Sequence, residues 1–94
     1  MGLRFSWDPR KAAANVRKHG VSFDEASTAF ADPLSITVPD PDHSDDDTRF
    51  LLVGQSLRHR ILVVIHAERS ESDIRLISAR PASRRERRIY EEDA

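Results

Sequence analysis

The residues best suited to chemistry lie near the C-terminus. Arg80, Arg84, Arg85, Arg87 and Arg88 fall within nine positions. Arg84 and Arg88 stand four apart, the spacing that puts two side chains on one helix face, with Arg85 adjoining. Ser83-Arg84-Arg85-Glu86 has the Ser-x-x-Glu spacing of a capping box. It predicts a helix from Ser83 to about Glu92, with Arg80 just before it. Like charges at this spacing cost about 0.2–0.5 kcal/mol per pair, at the helix end that disfavours cations. A phosphate backbone turns that cost into attraction, because arginine offers paired N–H donors and the helix start adds backbone donors. The competing reading is internal pairing, of Arg84 or Arg87 with Glu91 and of Arg88 with Glu92.

The four histidines are His19, His43, His59 and His66. They are the side chains that titrate near neutrality without help. His19 follows Lys18 at an expected helix end, where it suits either proton transfer and phosphate contact or the helix dipole. His43 sits among aspartates and reads as solvated; a metal site with Asp42 and Asp45 lacks a second, suitably spaced ligand pair. His66 follows an apolar run and reads as a core or edge histidine. There is no glycine-rich phosphate loop, no Ser-His-Asp order and no carboxylate dyad. No cofactor or metal site is expected. With no cysteine, disulfides, thiolate metal sites and thiol nucleophiles are excluded.

RNA chemistry fits this inventory because RNA brings its own nucleophile, the 2′-hydroxyl. A protein must orient it, take its proton, stabilise the extra charge on phosphorus and protonate the leaving oxygen. Arginine suits the charge, and histidine or lysine the protons. Aromatics for base stacking are few: Phe5, Trp7 and Tyr90 qualify, although the first two could equally be core. Tyr90 suits seating the last helix better than catalysis.

The formal net charge of −1 hides segregation. Residues 1–20 carry five basic side chains against Asp8, and residues 21–48 carry eight acids and no base. Residues 75–88 carry six arginines against Glu86. Blocks on this scale generate local fields even when the total vanishes. The two basic blocks can form one positive face only if the fold brings them together. Ninety-four residues suit one small domain, 1–94. No apolar run reaches the ~20 residues of a membrane span and no secretory h-region is evident, so a cytoplasmic protein is expected.

The elements that must position these groups follow from local pattern. Leu3–Trp7 alternates as a short strand. Asp8-Pro9 opens a helix that Gly20 closes. Ser22-Phe23-Asp24-Glu25 opens a second helix to about Ala31, ended by Asp32-Pro33. Leu34–Val38 reads as a strand, and 39–48, with two prolines and five aspartates, as an exposed acidic loop. The runs 49–55, 60–67 and 74–79 form an antiparallel meander, in which the unbroken apolar stretch Ile61–Ile65 must be central. The order is β-α-α-β-β-β-β-α, an α+β domain with helices packed on an antiparallel sheet.

These residues resemble the BrnT toxin family. The likeness rests on Phe5-Ser6-Trp7-Asp8-Pro9, on Asn15-Val16-Arg17-Lys18-His19-Gly20-Val21-Ser22-Phe23-Asp24-Glu25-Ala26, and on Ile77-Ser78-Ala79-Arg80 with Ser83–Glu91. The family is similar in fold to RelE-type toxins. The resemblance implies the ribonuclease half of a type II toxin–antitoxin pair that blocks translation by cutting RNA. A BrnA-like DNA-binding antitoxin would neutralise it in a hetero-oligomer that represses its own operon. The matching site positions are Arg80, Lys18 and His19 as catalytic groups and Arg84, Arg85 and Arg88 as RNA contacts. In that scheme Arg80 stabilises the phosphorane, Arg84 and Arg88 hold flanking phosphates, and Lys18 or His19 moves protons. The alternatives are a catalytically inactive homologue acting through antitoxin binding and autoregulation, and a plain nucleic-acid-binding module.

Overall fold

The computed structural model describes residues 2–40 and 49–93. The acidic stretch expected at 39–48, with His43 and its neighbouring aspartates, lies outside them except for its first two residues. Pro39 closes a strand, and Asp40 is buried, its N–H bonded to the Arg49 carbonyl at 3.0 Å.

Strand β1 (Arg4–Ser6) leads into helix α1 (Pro9–His19) and helix α2 (Phe23–Thr28), which ends in a 3-10 turn over Ala29–Ala31. Strands β2 (Ile36–Pro39), β3 (Arg49–Gln55), β4 (Ile61–Glu68) and β5 (Asp73–Pro81) follow, then helix α3 (Arg84–Asp93). The sheet order is β1-β5-β4-β3-β2. The meander is antiparallel as expected, and β1 joins β5 in parallel, making the sheet mixed. β4 is the central strand, and Leu62, Val63 and Val64 are buried on both its faces. Full burial of this stretch explains its lack of polar alternation.

The helix ends follow local chemistry. The Asp8 carboxylate accepts from the Arg10 N–H at 2.8 Å, Pro9 takes the first turn, and Gly20 closes α1 at φ 70°. The Ser22 hydroxyl accepts from the Glu25 N–H at 3.0 Å. At α3 the capping box is complete: the Ser83 N–H donates to Glu86 at 2.8 Å, and the Glu86 N–H to Ser83 Oγ at 3.2 Å.

Helices α1 and α2 pack on one face of the sheet. Val21, Phe23 and Ala26 meet Leu62 and Val64 of β4 and Ile74, Leu76 and Ala79 of β5. Each large side chain so buried contributes roughly 1.5–3 kcal/mol. Phe5 and Trp7 join this core, Phe5 edge-on to Phe30 at 5.1 Å and Trp7 edge-on to Phe23 at 5.9 Å. Gly54, paired with Leu62, lets the 3-10 turn approach β3 closely. A Cβ there would lie 2.9 Å from the Ala29 carbonyl oxygen.

Register assigns the other face. Arg49 and Arg75 both pair with Ala67, and Arg80 pairs with Val63. Ala67 and Val63 are four apart on one strand, so these three arginines share the face turned away from α1 and α2. A bulge between Ile65 and His66 lets β5 keep this arrangement despite its extra residue.

Candidate functional site

The site grows from the C-terminal end of β5. Arg80 is the penultimate residue of that strand, and its guanidinium grips Glu86 of α3 with Nη1 and Nη2 at 2.8 and 2.9 Å. The Arg80 bond holds the Glu86 carboxyl down at about 2, outweighing the opposing effect of burial, and the Ser83 backbone N–H assists. Glu86 in turn raises the Arg80 pKa. The pair ties β5 to α3 and fixes where the helix starts.

Arg84, Arg85, Arg87 and Arg88 lie on α3 and are exposed. Among the described residues none of them forms an ion pair with Glu91 or Glu92, so the internal pairing considered for them does not occur. The carboxylate engaged in this region is Glu86, and its partner is Arg80.

Lys18 and His19 end α1, with Lys18 exposed and His19 half-buried. They belong to the helical layer on one face of the sheet, whereas Arg80 projects from the other. The two groups approach around the sheet's end. Arg60, at the start of β4, donates from Nη2 to the Gly20 carbonyl at 3.0 Å, and the adjacent Ile61 carbonyl accepts the Ala82 N–H at 2.9 Å. The end of α1 and the approach to α3 thus flank the same strand end.

Three polar side chains, Asn15 and Glu25 buried and Asp32 half-buried, hold this arrangement through distant partners that pattern reading did not supply. Asn15 sits inside α1, where its Nδ2 donates to the carbonyls of Val21 and Ala79, both at 2.8 Å. Its Oδ1 accepts the Ala79 N–H at 3.1 Å. It bolts α1 to the residue before Arg80. Glu25 does not complete a capping box at α2. Its carboxylate instead accepts Arg60 Nε at 2.9 Å and Nη2 at 2.5 Å, and Ser56 Oγ at 2.7 Å. Arg60 lowers the Glu25 pKa against burial, with help from Ser56. Asp32 accepts the Tyr90 hydroxyl at 2.5 Å and the N–H groups of Gln55 and Leu34. Burial works to raise Asp32, but these bonds lower it overall. Burial and then Asp32 push the Tyr90 phenol up to about 12, so Tyr90 seats α3.

Beside this anchor runs a cleft of about 600 Å³ lined by Gln55, His59, Arg60, Arg87 and Tyr90. His59 holds a left-handed backbone at φ 65° in the β3–β4 turn, and its Nδ1 lies 3.3 Å from Gln55 Nε2. His66 is fully buried on the helix-bearing face between the rings of Phe30 and Phe50. Burial pushes its pKa down, and its Nε2 makes no hydrogen bond, with Glu68 3.7 Å away. It is a core residue. Among the described residues no group of three or more His, Asp or Glu side chains is placed to hold a metal ion.

The class defined by this geometry is a small α+β protein with a cationic strand-to-helix corner suited to phosphate. The chain matches, over residues 7–86, the family model of the ribonuclease toxin BrnT of type II toxin–antitoxin systems. It is also similar to the crystal structure of the Brucella abortus ribonuclease toxin BrnT, with a TM-score of 0.68 and 24% identity. That match covers 87% of this chain and 99% of that one, and at this identity it concerns the fold. No curated protein sequence matches. The chain belongs to the BrnT family of ribonuclease toxins.

Proposed function

We propose that this chain cleaves RNA without a metal ion, blocks translation in the cytoplasm, and is neutralised by a BrnA-like DNA-binding antitoxin in a hetero-oligomer. The supporting observation is the cluster of exposed guanidinium groups on α3 beside Arg80, without ion-pair partners among the described residues, in a chain of this family. The reaction is an in-line transfer. The 2′-oxygen attacks phosphorus, the bond to the 5′-oxygen breaks, and a 2′,3′-cyclic phosphate and a 5′-hydroxyl result. Arg80 faces the charge developing on the phosphoryl oxygens, while Arg84, Arg85 and Arg88 hold flanking phosphates. Lys18 or His19 takes the 2′-proton or returns one to the leaving oxygen. A substrate must bend around the sheet's end to meet both groups.

The test is cleavage of defined RNA by the purified chain with a chelator present. Cleavage that stops with chelation refutes the metal-free route. Arg80→Ala, verified as folded, should lose roughly 100-fold or more in rate. Undiminished cleavage removes Arg80 from the site. Lys18→Ala with His19→Ala tests the proton groups in the same assay. Growth arrest on expression, relieved by a small DNA-binding protein encoded next to it, tests the antitoxin. A second reading has one observation in its favour: the two-point grip of Glu86 neutralises Arg80, as suits an inactive homologue that works only through its antitoxin.

A further inference from the structure

We infer a second phosphate-binding site at the opposite end of β5, formed by Arg4, Arg69 and Arg75 and serving the RNA strand that flanks the scissile bond. The inference rests on the ribonuclease reading and extends it to a part of the molecule that reading does not use.

Parallel pairing of β1 with β5 sets Arg4 beside Asp73 and Ser6 beside Arg75. Asp73 and Arg75 are two apart on one strand, so Arg4 shares the face of Arg75. That is also the face of Arg80. Arg69 enters from the β4–β5 turn, its N–H bonded to the Asp73 carbonyl at 2.8 Å. The three arginines line a cleft of about 520 Å³ with Ser6 and Asp73, a volume in the range of small-ligand sites.

The charge in this cleft is not balanced locally. Three guanidinium groups face one carboxylate. Arg4 Nε reaches Asp73 at 3.3 Å, but the Arg4 side chain is 81% exposed and that of Asp73 43%, so the pair contributes little and leaves most donors of Arg4 unused. Arg69 and Arg75 have no ion-pair or side-chain hydrogen-bond partner among the described residues. Such a cluster costs self-repulsion unless an anion fills it, and fork-shaped donors select phosphate oxygens. Arg75 and Arg80 sit opposite Ala67 and Val63, four apart on β4, so they stand about 14 Å apart at strand rise. A single-stranded RNA lying along this face can therefore place one phosphate at each end. A lone mononucleotide can occupy only one.

The test measures binding without cleavage. The full chain is titrated into a fluorescent 2′-O-methyl RNA dodecamer, which lacks the nucleophile, at several salt concentrations. Each phosphate contact to a single strand adds about 0.7 to the slope of log affinity against log salt. Arg69→Gln with Arg75→Gln should flatten that slope by about 1.4 and weaken binding at 0.1 M salt roughly 25-fold. Arg4→Gln, whose side chain is 81% exposed, should flatten it by about 0.7 and guards against a folding defect in the double variant. Arg17→Gln on α1 should leave the slope unchanged. If both cleft variants keep the unaltered slope while the parent still cuts RNA, the second site is refuted and the ribonuclease reading stands. If the parent neither binds nor cuts RNA, both fall together.

Discussion

Replacing Glu86 by glutamine isolates the clamp that joins β5 to α3. Glutamine keeps the shape and can still accept the Ser83 N–H, so the change removes mainly the charge facing Arg80. A carboxyl held at about 2 against an ordinary 4.5 sets a ceiling of about 3.4 kcal/mol. The pair is partly open, with 36% of the Arg80 side chain and 27% of Glu86 exposed, so solvent screening cuts this to about 1–2 kcal/mol. For a domain of this size that lowers Tm at neutral pH by about 5–15 °C. The pH dependence has a definite sign. Glu86 is depressed in the folded state, so its contribution is complete above about 4.5 and is lost as pH falls through about 2. The parent and Glu86→Gln should differ fully at pH 7, converge between those values and coincide below the lower one. Thermal unfolding by circular dichroism across that range is the assay. Equal Tm at pH 7, or a gap that persists in strong acid, refutes the clamp as a charged contact. Released from Glu86, Arg80 keeps its charge but frees Nη1 and Nη2 to donate to a phosphate. Cleavage per folded molecule that rises in Glu86→Gln favours the second, restrained reading of the site.

Three further outcomes follow from the packing. Asn15→Leu strands the Ala79 N–H and two carbonyls in the interior, and urea denaturation should show a loss of about 2–4 kcal/mol. Gly54→Ala drives a methyl against the Ala29 carbonyl and should cost about 1–3 kcal/mol in the same measurement, since backbone must shift to admit it. His59→Gly relieves the left-handed turn at φ 65° and should stabilise by about 0.5–1 kcal/mol; a loss of stability shows that the Gln55 contact outweighs backbone strain.

Legibility in the sequence tracks the range of the interaction. Asp8-Pro9, Gly20 and Ser83-x-x-Glu86 act within one helical turn, and each forms the cap its spacing announces. The unbroken run Ile61–Ile65 announces a central strand because burial on both faces removes any need for alternation. Ser22-x-x-Glu25 shows where local reading stops. The backbone half of the box forms, but the Glu25 side chain is claimed by Arg60 and Ser56, more than thirty residues away. Asp32 reads only as a helix stop and Asn15 gives no local signal, because Gln55, Tyr90 and Ala79 lie on other elements, and a lone Asn in a helix reads as a poor helix former rather than as a bolt. The same limit applies to the candidate site. The cluster on α3 is visible in the chain, but the grip of Glu86 on Arg80, and the placing of Lys18 and His19 in the layer across the sheet, depend on strand register. Phe5 and Trp7, candidates for base stacking by type, are occupied in the core.

The parallel union of β1 with β5 also governs when the molecule can exist at all. The Arg4 N–H bonds to the Ser72 carbonyl at 2.7 Å, so the first strand made waits for nearly the last. Closing a loop of that length comes late in folding, because its entropy must be paid before the contact rewards it. A nascent chain that stops anywhere before β5 lacks the strand on which β1 pairs, together with Arg75, Arg80 and the arginines of α3.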